Sequence, residues 1–164
     1  MSLVVRSAAP GAGMTAALVV ASLTACTSAV PVTAAPHATD PLCAEVVLAL
    51  PDELAGMPRV TAGGQATAAW GDRRYPVVLR CGVEPPAPTM DPCVTADDGD
   101  HAVDWVAVAD PEMDGSAAWT FTTYGRSPAV EVLVPASVTA QHSTSFLIDL
   151  GPAIARVEQT RFCL

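Results

Sequence analysis

Alternation of apolar and polar positions is clearest between residues 75 and 83, where Val77, Leu79, Cys81 and Val83 fall on one side and Val78, Arg80 and Gly82 on the other. That period of two predicts a strand over 75–83 with its apolar side in a core. Ala66–Trp70 reads as a shorter strand, closed by Gly71-Asp72. Cys93–Ala96 and Ala102–Ala109 flank Asp97-Asp98-Gly99-Asp100, a strong hairpin signal, and Trp105 shares a face with Val103 and Ala107. A second hairpin is predicted from Ala117–Thr123 and Ala129–Val134, turning at Tyr124-Gly125-Arg126-Ser127.

Helical spacing governs the two ends of this region. Asp40-Pro41 offers a cap and a first-turn proline, and Cys43, Val47, Leu50 and Leu54 recur on one face. A helix over about 41–49 follows, with a short turn from Pro51 to Leu54. A Gly-rich connection runs from Gly56 to Gly64, and Glu84–Pro92, holding Pro85, Pro86, Pro88 and Pro92, reads as an ordered loop or lid. Near the C-terminus helical turns are expected at Phe146–Leu150 and from Pro152 to about Gln159; the alternative for Ser145–Asp149 is an edge strand. Together these elements predict an α+β domain at 40–164: a mostly antiparallel sheet of hairpins, with N-terminal and C-terminal helices packed on one face. No internal repeat is visible.

The first 39 residues carry a different pattern. Arg6 precedes an apolar run, Met14–Leu23, of about ten residues, half the length a bilayer span needs. Leu23-Thr24-Ala25-Cys26 follows directly and resembles the lipobox of bacterial lipoproteins, in which the cysteine is acylated and becomes the new N-terminus. Residues 1–25 are thus expected as a lipoprotein signal peptide, Cys26 as the lipidation site, and 26–39 as the lipidated Cys and a disordered tether, with His37 a solvated bystander. Two or three acyl chains on one residue hold a protein to a membrane without spanning it. The expected location is the outer face of the cell membrane.

Charge removes some classes of function. Without Arg6 the chain has seven Arg against 17 acidic residues, a formal charge of −10, so neither a basic patch for nucleic acid nor a polybasic aid to binding anionic lipid is expected. Lys and Asn are absent throughout. That bias, with abundant Ala, Val, Gly and Pro, suggests a GC-rich, actinobacterial source.

With Cys26 set aside, Cys43, Cys81, Cys93 and Cys163 form an even set in an oxidising compartment, which predicts two disulfides. Of the three possible pairings, Cys81–Cys93 with Cys43–Cys163 is favoured, closing the proline loop and tying the first helix to the C-terminus. A zinc site lacks any Cys-x-x-Cys, and no cofactor or metal is expected.

Trp70-Gly71-Asp72, Val78-Leu79-Arg80-Cys81-Gly82-Val83, Val103-Asp104-Trp105, Thr122-Thr123-Tyr124-Gly125-Arg126 with Pro128, and Val132–Pro135 carry a family resemblance. Over Cys43–Cys163 the chain resembles the actinobacterial lipoproteins grouped as domain of unknown function 3515. The resemblance implies an exported, membrane-anchored protein and no particular activity.

No catalytic motif is present. Gly-x-Ser-x-Gly, Ser-x-x-Lys and His-Glu-x-x-His are all missing, and His101 and His142 stand alone. The acidic stretch Asp91–Asp114 lacks calcium-loop spacing and reads as a solvated face. Arg80 and Arg126 offer guanidinium forks for a carboxylate or phosphate, or for internal pairing with Asp72 or Asp104. With Trp70, Trp105 and Tyr124 they make up the candidate ligand or partner site. The preferred function is a non-enzymatic binding or interaction module of the cell envelope, its partner an envelope protein or cell-wall ligand. The alternative is a small cell-wall enzyme using Asp72 or Asp104 with Arg80.

Overall fold

The computed structural model describes residues 28–110 and 118–164. Cys26 therefore lies outside the described residues, as do Glu112 and Asp114 of the acidic stretch. Helix α1 (Pro41–Ala49) starts where its cap predicts, with Asp40 Oδ1 accepting from Leu42 N at 2.9 Å. It stops before Pro51, whose ring holds Leu50 in the extended region. Cys43 and Val46 are its buried residues, one position away from the expected Val47.

Among the described residues eight strands form one sheet: β1 (Glu53–Leu54), β2 (Met57–Val60), β3 (Thr67–Trp70), β4 (Val77–Val83), β5 (Cys93–Asp97), β6 (Ala102–Asp110), β7 (Ala118–Thr123) and β8 (Ala129–Val134). Their order is β1-β2-β3-β4-β8-β7-β6-β5, and every neighbouring pair is antiparallel. β1 and β2 replace the turn and open connection expected for 51–64. They meet at Ala55-Gly56, both with positive φ. Beyond β8 come α2 (Ala136–Thr139), a 3-10 segment (Thr144–Leu150) and α3 (Gly151–Ile154), so Ser145–Asp149 is helical and not an edge strand.

One apolar cluster unites the helical segments with the sheet. Cys43, Val46, Leu147, Leu150 and Ile154 pack with Trp70, Leu79, Cys81, Trp105, Phe121 and Val132, all of them buried. Each large side chain removed from water in this way stabilises the fold by about 1.5–3 kcal/mol. Trp70 Nε1 donates to Pro51 O at 3.1 Å. Among the described residues no helix is long and apolar enough to cross a membrane.

Two expectations are corrected by this topology. β4 and β5 are not neighbours, since β8, β7 and β6 lie between them, about 19 Å at the usual strand spacing. No disulfide bridges that distance, so Cys81–Cys93 is excluded. The disulfides are Cys43–Cys81, joining α1 to β4, and Cys93–Cys163, joining the edge strand to the C-terminus, with Cα separations of 5.4 and 6.2 Å. The proline-rich stretch is instead a crossover between distant strands, for which nine extended residues reach about 30 Å. Proline suits that task because it keeps the chain extended.

The second correction concerns the tether. Residues 28–39 lie against the domain: Val30 bridges Ala62, Ala35 and Ala38 are buried, and His37 N donates to Gly82 O at 2.9 Å. Gly82, at φ +95°, interrupts the β4–β8 register, and a Cβ on it would collide with the His37 backbone. His37 is not a bystander, because its Nε2 lies 2.6 Å from Glu84 Oε1.

Candidate functional site

The C-terminal tail is stitched to the sheet by a polar network built around two residues singled out in the sequence, Asp104 and Arg126. Asp104 Oδ1 accepts from the Thr95 hydroxyl at 2.7 Å, while Oδ2 accepts from Gln159 Nε2 and Cys163 N, each at 2.9 Å. Arg126, buried in the β7–β8 turn, donates through Nη1 to Val157 O and through Nη2 to Ala102 O (3.1 Å) and Gln159 Oε1 (3.0 Å). Burial pushes its pKa below the ordinary value, with Asp104 pulling the other way. The Gln159 amide stands between the two charges. It accepts from Arg126 and donates to Asp104, so the expected Arg126–Asp104 pair acts through an intervening dipole.

This network also shortens the last helix. Val157 O faces Arg126 and Gln159 bridges the Arg126 backbone, so the chain leaves helical geometry after α3 and does not continue to Gln159. Gly125, at φ +73°, lets the tail pass, since a Cβ there would collide with Arg161. Arg161 in turn lies over the Tyr124 ring, 5.5 Å from its centroid.

The remaining candidates are dispersed. Arg80 pairs with Glu131 on β8, Nε at 2.9 Å and Nη2 at 2.5 Å from Oε1, a partner the sequence reading did not name. Asp72 accepts from Arg74 N at 2.7 Å in the exposed β3–β4 turn. Trp70 and Trp105 are fully buried in the core, where they present nothing to a ligand. Arg80 and Asp104 stand on strands separated by β8 and β7, about 14 Å of sheet, so the Asp104–Arg80 form of the enzyme alternative does not converge.

The acidic hairpin is locally satisfied. Asp98 accepts from the backbone N–H groups of Asp100 and His101 and from the His101 ring, in that order of effect, which holds its carboxyl below the usual range. Among the described residues no group of three or more His, Cys, Asp or Glu is placed to hold a metal ion.

A cleft of 320 Å³ opens where the proline crossover meets the tail. Pro88, Thr89 and Asp91 form one wall, Tyr124, Phe162 and Leu164 the other, and the Cys93–Cys163 disulfide lies between them. Phe162 is 66% exposed, and Leu164 is fully exposed in the same wall. Of the residues expected to meet a ligand, only Tyr124 lines this cleft. Its other walls were hidden from sequence reasoning because they come from segments 70 residues apart that only the second disulfide joins.

A family model described as Protein of unknown function (DUF3515) matches residues 8–162, and the chain belongs to that family. Neither the curated proteins nor the solved structures contain a significant match to it.

Proposed function

We propose that this DUF3515 member is an exported protein of an actinobacterial envelope, held on the outer face of the cell membrane by lipid on Cys26, whose domain is a non-enzymatic binding module. The cleft carries the binding half of this reading. It joins exposed apolar side chains to a few polar groups on walls pre-set by prolines and a disulfide, which limits the ordering cost of binding. Its volume lies at the lower end of the range for small-ligand pockets, matching a short peptide segment or one sugar unit of a cell-wall ligand. In this reading the helical segments cover one face of the sheet, and Arg80, Glu131 and Thr122 mark the other.

The anchoring half is supported by the lipobox-like Leu23-Thr24-Ala25-Cys26 and by two disulfides that suit an oxidising compartment. Metabolic labelling with an alkynyl fatty acid is expected to mark the protein and to be abolished by Cys26→Ser. Mass spectrometry of the mature N-terminal peptide then shows a diacylglyceryl thioether on Cys26. An unmodified N-terminus at another residue contradicts the anchor.

A further inference from the structure

The described chain begins at Ser28, two residues after Cys26, and is already held in place there. Arg73 Nη1 donates to Ser28 O, Val30 N donates to Thr61 O at 2.8 Å, and Gly63 N donates to Val30 O at 2.9 Å. From Cys26 to Ser28 an extended chain spans about 7 Å. Acyl chains on Cys26 therefore bring the β3–β4 turn, residues 71–76, to the headgroup layer, which is itself about 5–7 Å deep.

That turn has the chemistry such a layer selects. Arg73, Arg74 and Tyr75 are consecutive and exposed. Arg59 and Arg126 are less exposed and donate to backbone carbonyls of the domain, and Arg80 pairs with Glu131, whereas Arg73 gives one N–H to Ser28 O from an exposed position. Beside Arg74 lies an apolar depression of 140 Å³, formed by Tyr75, Pro76, Val78, Trp119 and Leu133. A guanidinium on the rim of an apolar hollow matches a phosphate joined to an acyl ester. Asp72 in the turn opposes anion binding and limits its strength.

We infer that the β3–β4 turn is the membrane-facing surface of the domain, with Arg73 and Arg74 on the phosphates of anionic glycerophospholipid and the hollow beside Arg74 taking the start of an acyl chain. This inference rests on the anchoring reading and places the domain directly on the bilayer, not on a long tether. Two adjacent guanidiniums orient the protein; the acyl chains retain it.

The test uses the mature full chain, with Cys26 coupled to a maleimide phospholipid in vesicles. It therefore reports on the turn whether or not the cell acylates Cys26, which the fatty-acid labelling decides separately. Reaction of each Arg with p-hydroxyphenylglyoxal is followed by peptide mass spectrometry, with exposed Arg156 as the internal reference. On vesicles of phosphatidylcholine with phosphatidylglycerol, Arg73 and Arg74 are expected to react about fivefold more slowly than on phosphatidylcholine alone, the effect of one basic side chain at an anionic surface, with Arg156 unchanged. Equal rates on the two vesicle types overturn the inference. Equal slowing of Arg156 does so too, because it reports general crowding and not a facing turn.

Discussion

Replacing Cys43 and Cys81 together by Ala is expected to lower stability by about 4 kcal/mol and the thermal midpoint by roughly 10–15 °C. The bridge closes 38 residues, which sets the chain entropy returned to the unfolded state when it is removed. Both half-cystines are fully buried within the core cluster, so the loss also leaves unfilled space between α1 and β4. Circular dichroism melts of the wild type and the double variant measure the shift. Non-reducing peptide mapping gives the matching chemical result: Cys43 linked to Cys81 and Cys93 to Cys163. A Cys81–Cys93 peptide contradicts the strand order itself, because it requires β4 and β5 to be adjacent.

Arg126→Ala is expected to cost about 3–4 kcal/mol. The change orphans Val157 O, Ala102 O and the Gln159 amide oxygen, and a buried acceptor left without a donor costs about 1–3 kcal/mol, partly relieved as the tail loosens. Arg126→Lys keeps the charge but not the planar fork that reaches three acceptors, so its loss is intermediate. Chemical denaturation measures both. Hydrogen exchange adds the local signature, since Thr160 N and Cys163 N, which donate to Gly125 O and to Asp104, lose protection first. A double-mutant cycle with Gln159→Ala is expected to show coupling above 1 kcal/mol, as for contacting residues in one network. Additive losses instead mean that Arg126 and Gln159 hold the tail independently.

Local signals were legible in the chain and non-local ones were not. Asp40-Pro41 marks the start of α1 because capping and proline act within one turn, and the alternation around Leu79 and Val132 marks strands that bury one side. Asp98-Gly99 likewise marks the β5–β6 turn. β1 and β2 escaped because they are short, contain Pro58 and turn through Ala55-Gly56, so their pairing outweighs their weak propensity. The pairing of β4 with β8 has no local signature, and it is what separates β4 from β5 and so rules out Cys81–Cys93. Arg80 and Glu131 did leave a trace: each is a charged residue in an otherwise apolar strand at alternating positions, a pattern that asks for a cross-strand partner. Residues 28–39 have linker composition, yet they bind through backbone hydrogen bonds and small apolar side chains that composition does not reveal.

The binding module is tested most directly by placing a photo-crosslinking amino acid at Phe162 in the cleft and, as a reference, at Leu48, which is 87% exposed on α1. The protein is expressed in its own envelope and irradiated. The account predicts a discrete, saturable adduct from position 162 that is absent from position 48 and is lost when Tyr124→Ala alters the cleft wall. Equal labelling from both positions, or an adduct indifferent to Tyr124→Ala, contradicts a binding role for the cleft.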